Sequence, residues 1–280
     1  MIRPVTVEWI SMLRFIATKL DTLGYRLHLI DEFRRLRRAG RELPGSLLRD
    51  LFRSPLNYDD FLQFLCFFNN TEKISLIDIG ANEGSFTRDF LKFFPHLASV
   101  SCFEPNPAPF ARLTANLADV ENASFFNVGI GEREEELDFH VPDSDVNGGL
   151  YRHNTLSGDH YADRDGETIR VRIAPLDSFA LDVTAPAICK IDTQGHELAV
   201  LKGARTTLAK CQAVLLECSF APEYDGVDVS FSACCEILAA CDLYPIVFQR
   251  YGDAVSTYAF ERDVLFVKKD LLSRIYHRNY

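Results

Sequence analysis

Short apolar runs alternate with helix-like segments from residue 73 onward, and this alternation is the strongest constraint on the fold. The runs have few polar residues and are rich in Val, Ile, Leu and Phe, which is typical of buried strands. Seven strands are predicted, at 73–80, 98–105, 123–130, 187–192, 213–219, 244–250 and 263–269. Four helices are predicted between them, at 84–94, 107–118, 196–210 and 230–241. Such alternation indicates an α/β fold with a mostly parallel sheet covered on both faces. The last two strands have a short connection, so we expect them to pair antiparallel.

Two segments do not follow this alternation. Residues 1–70 are predicted to form a helical arm, because apolar residues recur at spacings of three and four over 9–30. We expect the arm to pack on the body of the protein or to form a homodimer, and a basic helix on a membrane surface is the alternative. Residues 131–187 contain two strand-like pieces around a long polar loop, which predicts an inserted ribbon over one face. The main domain is therefore predicted at 71–270, with a C-terminal tail at 271–280.

Charge and cysteine content narrow the class of protein. The net charge of −10 argues against a general nucleic-acid binder, and the positive excess is confined to residues 1–56. No apolar run is long enough for a transmembrane segment. The eight cysteines include no CxxC pair and lie mostly in apolar runs such as AICKI and AVLLECS. These contexts favour reduced core cysteines in a cytoplasmic protein.

A glycine-containing turn follows the first predicted strand, in the stretch LIDIGANEGSFTRDF. Gly80 and Gly84 allow a tight strand-to-helix connection, because glycine reaches backbone angles that other residues avoid. The same turn is typical of nucleotide sites, where the ligand lies against the backbone and the helix N-terminus. Glu104 ends the second strand, where a carboxylate can accept hydrogen bonds from both hydroxyls of a ribose. The turn and the carboxylate together favour a nucleotide-type cofactor.

The turn lacks the pattern of a pyrophosphate site. A dehydrogenase fingerprint has the form GxGxxG, whereas Gly80 is followed by Ala81, Asn82 and Glu83. Asp78 adds a negative charge that repels a pyrophosphate and attracts an ammonium or a sulfonium group. S-adenosylmethionine carries both of these cations and no phosphate, so the residues favour a methyl donor.

Four segments in this order resemble the FkbM family of S-adenosylmethionine-dependent methyltransferases. They are DIGANEGSFT at 78–87, FEPNP at 103–107, LDSF…AICKIDTQGHELAVLKGA at 176–204 and VLLE at 214–217. The resemblance implies an α/β, class I methyltransferase (Rossmann-like) fold: a seven-stranded, mostly parallel sheet with an antiparallel last strand and strand order 3-2-1-4-5-7-6. It also implies O-methylation of sugars or natural products, and it says nothing about the arm.

The resemblance implies which residues hold the cofactor. Those implied at its methionine part and at the closing of the turn are Asp78, Gly80, Ala81, Asn82, Gly84, Ser85 and Phe86. Glu104, flanked by Pro105 and Asn106, is implied at the ribose. Asn127 and Gly129 are candidates for the adenine end, and a simple turn is the alternative explanation of this pair.

The candidate catalytic residues lie in KIDTQGHEL, at the end of the fourth predicted strand. Ligands of open parallel sheets bind beyond the carboxyl ends of the strands, where strand order reverses. Asp192 is therefore expected to contact substrate or cofactor, with a helix cap as the alternative. His196 is suited to general-base catalysis, and an exposed helix-start residue is the alternative. Lys190 is the third candidate, and an ion pair with Glu197 or Glu217 is the structural alternative.

The expected partner is a small-molecule or glycan acceptor that presents a hydroxyl. A divalent metal could bind Asp192, His196 and Glu217, but no tight ligand spacing demands it and none is predicted. One alternative function is an NAD(P)-dependent oxidoreductase, which Asp78 and Asn82 disfavour. The other is a non-catalytic module that binds S-adenosylmethionine and recruits partners.

Overall fold

The computed structural model describes residues 73–94, 97–141, 149–150, 166–183, 186–219, 231–248 and 261–271. The helical arm at 1–70, the homodimer predicted through it, most of the polar loop in the insertion and the tail beyond residue 271 lie outside the described residues. The boundaries predicted for these regions therefore remain predictions.

Ten strands and five α-helices occur in the described residues. The strands are β1 (Ile74–Ile79), β2 (Leu97–Phe103), β3 (Ala123–Phe126), β4 (Gly129–Ile130), β5 (Glu135–Val141), β6 (Glu167–Ala174), β7 (Ala187–Ile191), β8 (Ala213–Ser219), β9 (Leu243–Phe248) and β10 (Glu261–Lys268). The helices are α1 (Ser85–Phe93), α2 (Pro107–Asn116), α3 (Glu197–Gly203), α4 (Arg205–Leu208) and α5 (Phe231–Ala240). A short 3-10 helix spans Leu176–Ser178.

Seven of these strands form one sheet in the order β3-β2-β1-β7-β8-β10-β9. The pairs from β3 to β8 are parallel, whereas β10 runs antiparallel to both β8 and β9. This confirms the predicted α/β class, the predicted strand order and the antiparallel last strand. Strand order reverses between β1 and β7, so the crevice expected of this topology opens at their carboxyl ends.

The centre of the sheet is its most buried part. Every residue of β1 and β7 is buried, which explains why these strands read as continuous apolar runs. Ile79 and Ile191 belong to a hydrophobic core that also includes Val200 of α3 and Leu238 of α5. Because these two central strands are packed on both faces, they hold the residues at their carboxyl ends in fixed positions.

The predicted third strand, 123–130, is shorter than expected and divides into two strands. It ends at Phe126, and the side-chain amide of Asn127 donates hydrogen bonds to the backbone carbonyls of Glu104 and Pro105, at 2.8 and 3.0 Å. The chain then joins a second sheet, in which Gly129 pairs with Ile173. The break occurs because Asn127 binds the loop after β2 instead of extending the strand.

The predicted helix 196–210 is also divided, at Ala204. A side chain at Gly203 would place its Cβ 1.9 Å from the carbonyl oxygen of Gly131, so α3 ends against that backbone. The following helix α4 begins under a new cap, because Asp177 accepts hydrogen bonds from the backbone N–H groups of Thr206 and Thr207, each at 2.8 Å. The two helices are thus anchored separately.

The predicted ribbon is present as an antiparallel pair. β5 and β6 are paired from Glu135–Ile173 to Val141–Glu167 and, with β4, make a three-stranded sheet. Its apolar residues include Phe139 and Ile173. The edge of this sheet therefore enters the main domain directly through β4.

The described cysteines are all free, and all but Cys235 are buried. This confirms the predicted core location for Cys102, Cys189, Cys211, Cys218, Cys234 and Cys241. Burial raises the pKa of the Cys211 thiol to about 12, so this thiol stays protonated.

We predict that Asp177→Ala lowers the free energy of unfolding by about 1–2 kcal/mol, because α4 loses its cap. Burial acts to raise the pKa of Asp177, but the Thr206 and Thr207 hydrogen bonds outweigh it and hold the pKa below its usual range. The stabilisation is therefore present above the pKa of the unfolded chain and is lost as the pH falls through the folded pKa. Urea denaturation at pH 7 measures the change. Glu121→Ala, on an exposed turn, is the control, and equal effects of the two variants would contradict the cap.

Candidate functional site

A cavity of about 300 Å³ lies at the carboxyl ends of β1, β2 and β7. Its wall combines the turns after these strands with β4 and with Phe139, Leu150 and Ile173 of the ribbon. Its volume is at the lower end of the range of ligand pockets, about 300–1,000 Å³. The cavity stands at the reversal of strand order, where the sequence predicts it.

The turn after β1 is determined by close backbone approach. Gly80 has φ +73°, and a Cβ on it would lie 1.7 Å from the carbonyl oxygen of Asp192. The backbone N–H groups of Gly80 and Ala81 both donate to the carbonyl of Phe103, at 3.0 Å. Gly84, with φ +84°, precedes α1. Gly80 is thus required by the close approach of the two strand ends, a reason that involves no ligand.

Glu104 is the buried carboxylate at the end of β2, with 6% of its surface exposed. One oxygen accepts the backbone N–H of Asn82 at 3.0 Å, and the other accepts that of Asn106 at 2.8 Å. Burial raises the pKa of Glu104 to about 7, although these two hydrogen bonds act in the opposite direction. Each oxygen keeps accepting capacity toward the cavity that it lines.

The turn after β7 carries a cluster of charged and polar side chains. The ammonium of Lys190 lies 3.1 Å from Asp192 Oδ2 and 3.7 Å from Asp78 Oδ1. The amide of Gln194 donates to Asp192 Oδ1 at 3.1 Å and to Glu217 Oε2 at 2.8 Å. Burial acts to raise the pKa of Asp192. The charge of Lys190 and the hydrogen bonds made to the Asp192 carboxylate outweigh burial and hold that pKa below its usual range. Asp192 is therefore an ionised carboxylate at the cavity wall.

Of the two partners named in the structural alternative for Lys190, Glu197 is wrong. Glu197 is 1% exposed, and one of its oxygens accepts the backbone N–H groups of Thr193 and Gly195, at 2.9 and 3.2 Å. It fastens the turn in front of α3, because its side chain reaches back to these donors. Burial raises the pKa of Glu197 to about 7. Lys190 instead pairs with Asp192, which follows β7, and with Asp78 of β1.

His196 lies in the cavity wall and is only 7% exposed. The alternative of an exposed helix-start residue is therefore wrong. Burial lowers its pKa to about 4, with a smaller opposing effect of Glu135. A Cβ on Gly131 would lie 3.0 Å from His196 Nε2, so the glycine leaves room for the ring. His196 is a neutral imidazole at physiological pH.

The structure brings about half of the predicted site residues to the cavity. Those in its wall are Gly80, Asn82, Glu104, Pro105, Asn106, Gly129, Asp192 and His196. The other predicted residues do not line the cavity. Asp78 is fully buried and accepts a hydrogen bond from Thr87 Oγ1 at 2.7 Å.

The remaining predicted residues also have structural neighbours. Gly84 faces Leu113 of α2 and Leu117, which follows that helix, and a Cβ on it would come within 2.9 Å of each side chain. Ser85 and Phe86 begin α1, and Asn127 binds the carbonyls after β2. Ala81 is buried beneath the turn.

The apolar half of the wall was not predicted. Its members outside the quoted motifs include Val128, Ile130, Phe139, Leu150 and Ile173. The alternation of apolar and polar residues in ELDFHV and TIRVRI indicates one apolar face of the ribbon. That pattern cannot say what the face covers, because the covering depends on how β4 joins the two sheets.

The cavity chemistry suits hydroxyl groups and cations more than phosphates. Within the described ranges, its ionised side chains are the carboxylates of Asp192 and, above its pKa, Glu104, and no Lys or Arg lines it. A phosphate would meet negative charge there. A carboxylate held by two backbone donors matches the ribose of an adenosyl group, and the apolar wall matches a base. The residues therefore fit S-adenosylmethionine.

Among the residues that the structure describes, no group of three or more His, Cys, Asp and Glu side chains is arranged to hold a metal ion. Over the same residues, no helix combines the length and the apolar character needed to cross a bilayer.

A protein-family model for the methyltransferase FkbM domain matches residues 78–243, more than half of the chain. The chain belongs to this family. The matched range contains the β1 turn, the loop after β2 and the turn after β7, so the cavity is built from the residues that define the family match.

Two characterised relatives are methyltransferases. The chain is 32% identical over 161 residues to the 2-O-methyltransferase NoeI of Sinorhizobium fredii, which covers 54% of this chain and 65% of NoeI. It is 29% identical over 150 residues to the hexuronic acid methyltransferase AglP of Haloferax volcanii, covering 51% of this chain and 54% of AglP. The chain thus spans less than two thirds of either relative.

Among solved structures, methyltransferase FkbM from Methylobacillus flagellatus aligns with a TM-score of 0.46 and 19% identity. The alignment covers 71% of this chain and 44% of that chain.

We predict that His196 makes the protein sensitive to acid. Its folded pKa of about 4 is below the ordinary 6.5, so the unfolded chain binds the proton more tightly and the stability that His196 contributes is lost as the pH falls from 6.5 toward 4. Between pH 7 and 4.5 the wild type should lose about 2 kcal/mol more unfolding free energy than His196→Gln. Urea denaturation at both pH values measures this difference.

The matched control is His140→Gln, on the half-exposed edge of the ribbon. This variant should lose as much stability in acid as the wild type does. An equal acid response of His196→Gln and the wild type would contradict the buried neutral imidazole.

Proposed function

We propose that the protein is an S-adenosylmethionine-dependent O-methyltransferase that acts on a hydroxyl of a sugar, glycan or natural-product acceptor. The observation that carries this proposal is Glu104, a buried carboxylate held by two backbone N–H groups at the edge of the cavity. Family membership supports methyl transfer, the name of NoeI supports transfer to an oxygen, and the name of AglP supports a sugar-acid acceptor. The catalytic domain is proposed at 71–270, in the cytoplasm.

The proposed donor site follows the wall of the cavity. Glu104 accepts the ribose hydroxyls, and Asn82 and Asn106 hold its carboxylate in place. Pro105 and Val128 offer apolar surface for the base. The turn from Gly80 to Gly84 faces the methionine end, where the negative charge of Asp192 complements a cation.

When bound, S-adenosylmethionine supplies an electrophilic methyl group to the acceptor oxygen. The contribution of the protein is to align the two reactants, which can supply most of the rate. Asp192 orients the acceptor hydroxyl by accepting its hydrogen bond. His196 is neutral and can accept the proton that this oxygen loses, but a pKa of about 4 makes it a weak base that passes the proton on instead of keeping it. The apolar residues of the ribbon exclude water from the reacting groups.

We predict that the wild type binds S-adenosylhomocysteine with a dissociation constant in the micromolar range, whereas Glu104→Gln binds it at least about tenfold more weakly. The weakening is expected because the glutamine side chain has only one acceptor oxygen. Its NH₂ group would face the backbone N–H of Asn82 or Asn106, where Glu104 has an oxygen. Isothermal titration calorimetry measures both, with NAD as comparator and Glu121→Gln as the matched control. Tight binding of NAD alone would favour the oxidoreductase.

The affinity should also depend on pH through Glu104. The folded pKa is about 7, and ribose hydroxyls donate to the ionised form, so binding strengthens as the pH rises through 7 and releases a proton. The wild type should bind S-adenosylhomocysteine roughly tenfold more weakly at pH 6 than at pH 8. Glu104→Gln should lose this dependence, and a flat wild-type profile would count against the ribose role.

Methyl transfer itself is tested with a labelled donor and a panel of neutral sugars, uronic acids and hydroxylated natural products. His196→Asn should lower kcat by about 10², the low end of the usual range, because a base with a pKa of about 4 is weak, and it should leave the donor dissociation constant unchanged. An unchanged kcat would remove His196 from the mechanism. Donor binding without transfer to any acceptor, together with an Asp192→Ala variant that keeps all partner interactions, would favour the non-catalytic module.

A further inference from the structure

The ammonium of Lys190 occupies the junction between the two turns of the site. Lys190 and Asp78 are register partners on β7 and β1, so their side chains rise from the same face of the sheet. The ammonium donates to the carbonyl of Gly80 at 2.9 Å and pairs with Asp192 at 3.1 Å. It also lies 5.7 Å from the ring centre of Phe86. One charged group therefore contacts both the glycine turn after β1 and the carboxylate after β7.

Burial makes this ammonium costly to keep. Only 10% of the Lys190 side chain is exposed, and Asp78 beneath it is fully buried. Removal of a buried ion from water costs several kcal/mol, and its partners must offset that cost. If Lys190 served only to fill space, an apolar side chain of similar length could fill it without the cost of a buried charge. The contacts of the ammonium with the Gly80 carbonyl and the Asp192 carboxylate indicate a role that needs the charge.

The two carboxylates beside Lys190 are not equivalent. Asp78 lies 3.7 Å from the ammonium and already accepts a hydrogen bond from Thr87, and its burial raises its pKa. Asp192 is closer to the ammonium, is 35% exposed and faces the cavity. The principal ion pair is therefore the one with Asp192, on the ligand side.

We propose that Lys190 is a positioning residue, which holds the carboxylate of Asp192 against the cavity and the carbonyl of Gly80 in the donor turn. It does not line the cavity and acts through these two groups. This inference rests on the proposed function, since the donor turn and the acceptor carboxylate are given their roles there. A single ammonium then sets the spacing between the groups that face donor and acceptor.

The competing explanation is that Lys190 only neutralises Asp78. Lys190→Met by itself cannot distinguish the two, because it strands buried carboxylates and destabilises the fold. The double variant Asp78→Asn/Lys190→Met removes one negative and one positive charge together and keeps similar volumes. Asp78→Asn alone is its matched reference. Urea denaturation confirms that both variants fold before they are compared.

The first measurement needs no ligand. The pKa of Asp192 is followed by carbon-13 NMR of its carboxyl group in Asp78→Asn and in the double variant. If Lys190 positions Asp192, the pKa rises by about one pH unit or more when the ammonium is removed. An Asp192 pKa that is the same in both variants overturns the role of Lys190 toward Asp192.

The second measurement is the dissociation constant of S-adenosylhomocysteine by calorimetry. The double variant should bind about tenfold or more weakly than Asp78→Asn, because the Gly80 carbonyl loses a charged donor. Equal dissociation constants would overturn the role toward the donor turn. A wild-type protein that fails to bind this ligand would overturn the proposed function and this second role together, whereas the titration of Asp192 would still decide the first.

Discussion

Backbone contact between the ends of β1 and β7 is the constraint on which the site depends. Gly80 passes so close to the carbonyl of Asp192 that a Cβ atom has no room there. The N–H of Asp192 also donates a hydrogen bond to the carbonyl of Ile79, at 3.1 Å. This contact fixes the two turns relative to each other. The loop after β2 is then tied to the first turn, because Gly80 and Ala81 donate to Phe103. Three strand ends thus form one rigid edge of the cavity.

Backbone N–H groups at this edge donate hydrogen bonds to buried carboxylates. Glu104 and Glu197 each accept two backbone N–H groups, and burial raises the pKa of each to about 7. Asp192 instead pairs with Lys190 and stays ionised. Glu104 lines the cavity, so its protonation can change when a cationic ligand binds, whereas Glu197 does not line it. These buried charged groups lie at the edge that carries the proposed chemistry.

The three-stranded sheet completes the site from the other side. β4 follows β3 after only two residues, and Gly129 pairs with Ile173, which brings the apolar face of the ribbon over the strand ends. Gly131 then passes between His196 and Gly203, where neither glycine has space for a larger side chain. The insertion is therefore part of the cavity wall. It gives an otherwise polar edge the apolar surface that a nucleoside base and a water-free reaction need.

The sequence by itself determined the class of fold and the residues at the carboxyl ends of the strands, because strand burial and turn chemistry are local properties that leave a pattern in the chain. The order of the strands followed only from the family resemblance. Gly80, Glu104 and Asp192 could be chosen in this way. Only the tertiary structure decided which neighbours these residues have. Asp78 points inward, where it contacts Thr87 and Lys190. The third predicted strand is divided at Asn127, and burial of His196 lowers its pKa to about 4. The tertiary structure also brought Phe139 and Ile173 to the cavity from a separate sheet. These outcomes depend on contacts between residues far apart in the chain, and a pattern of neighbouring residues has no information about the distance between them in space.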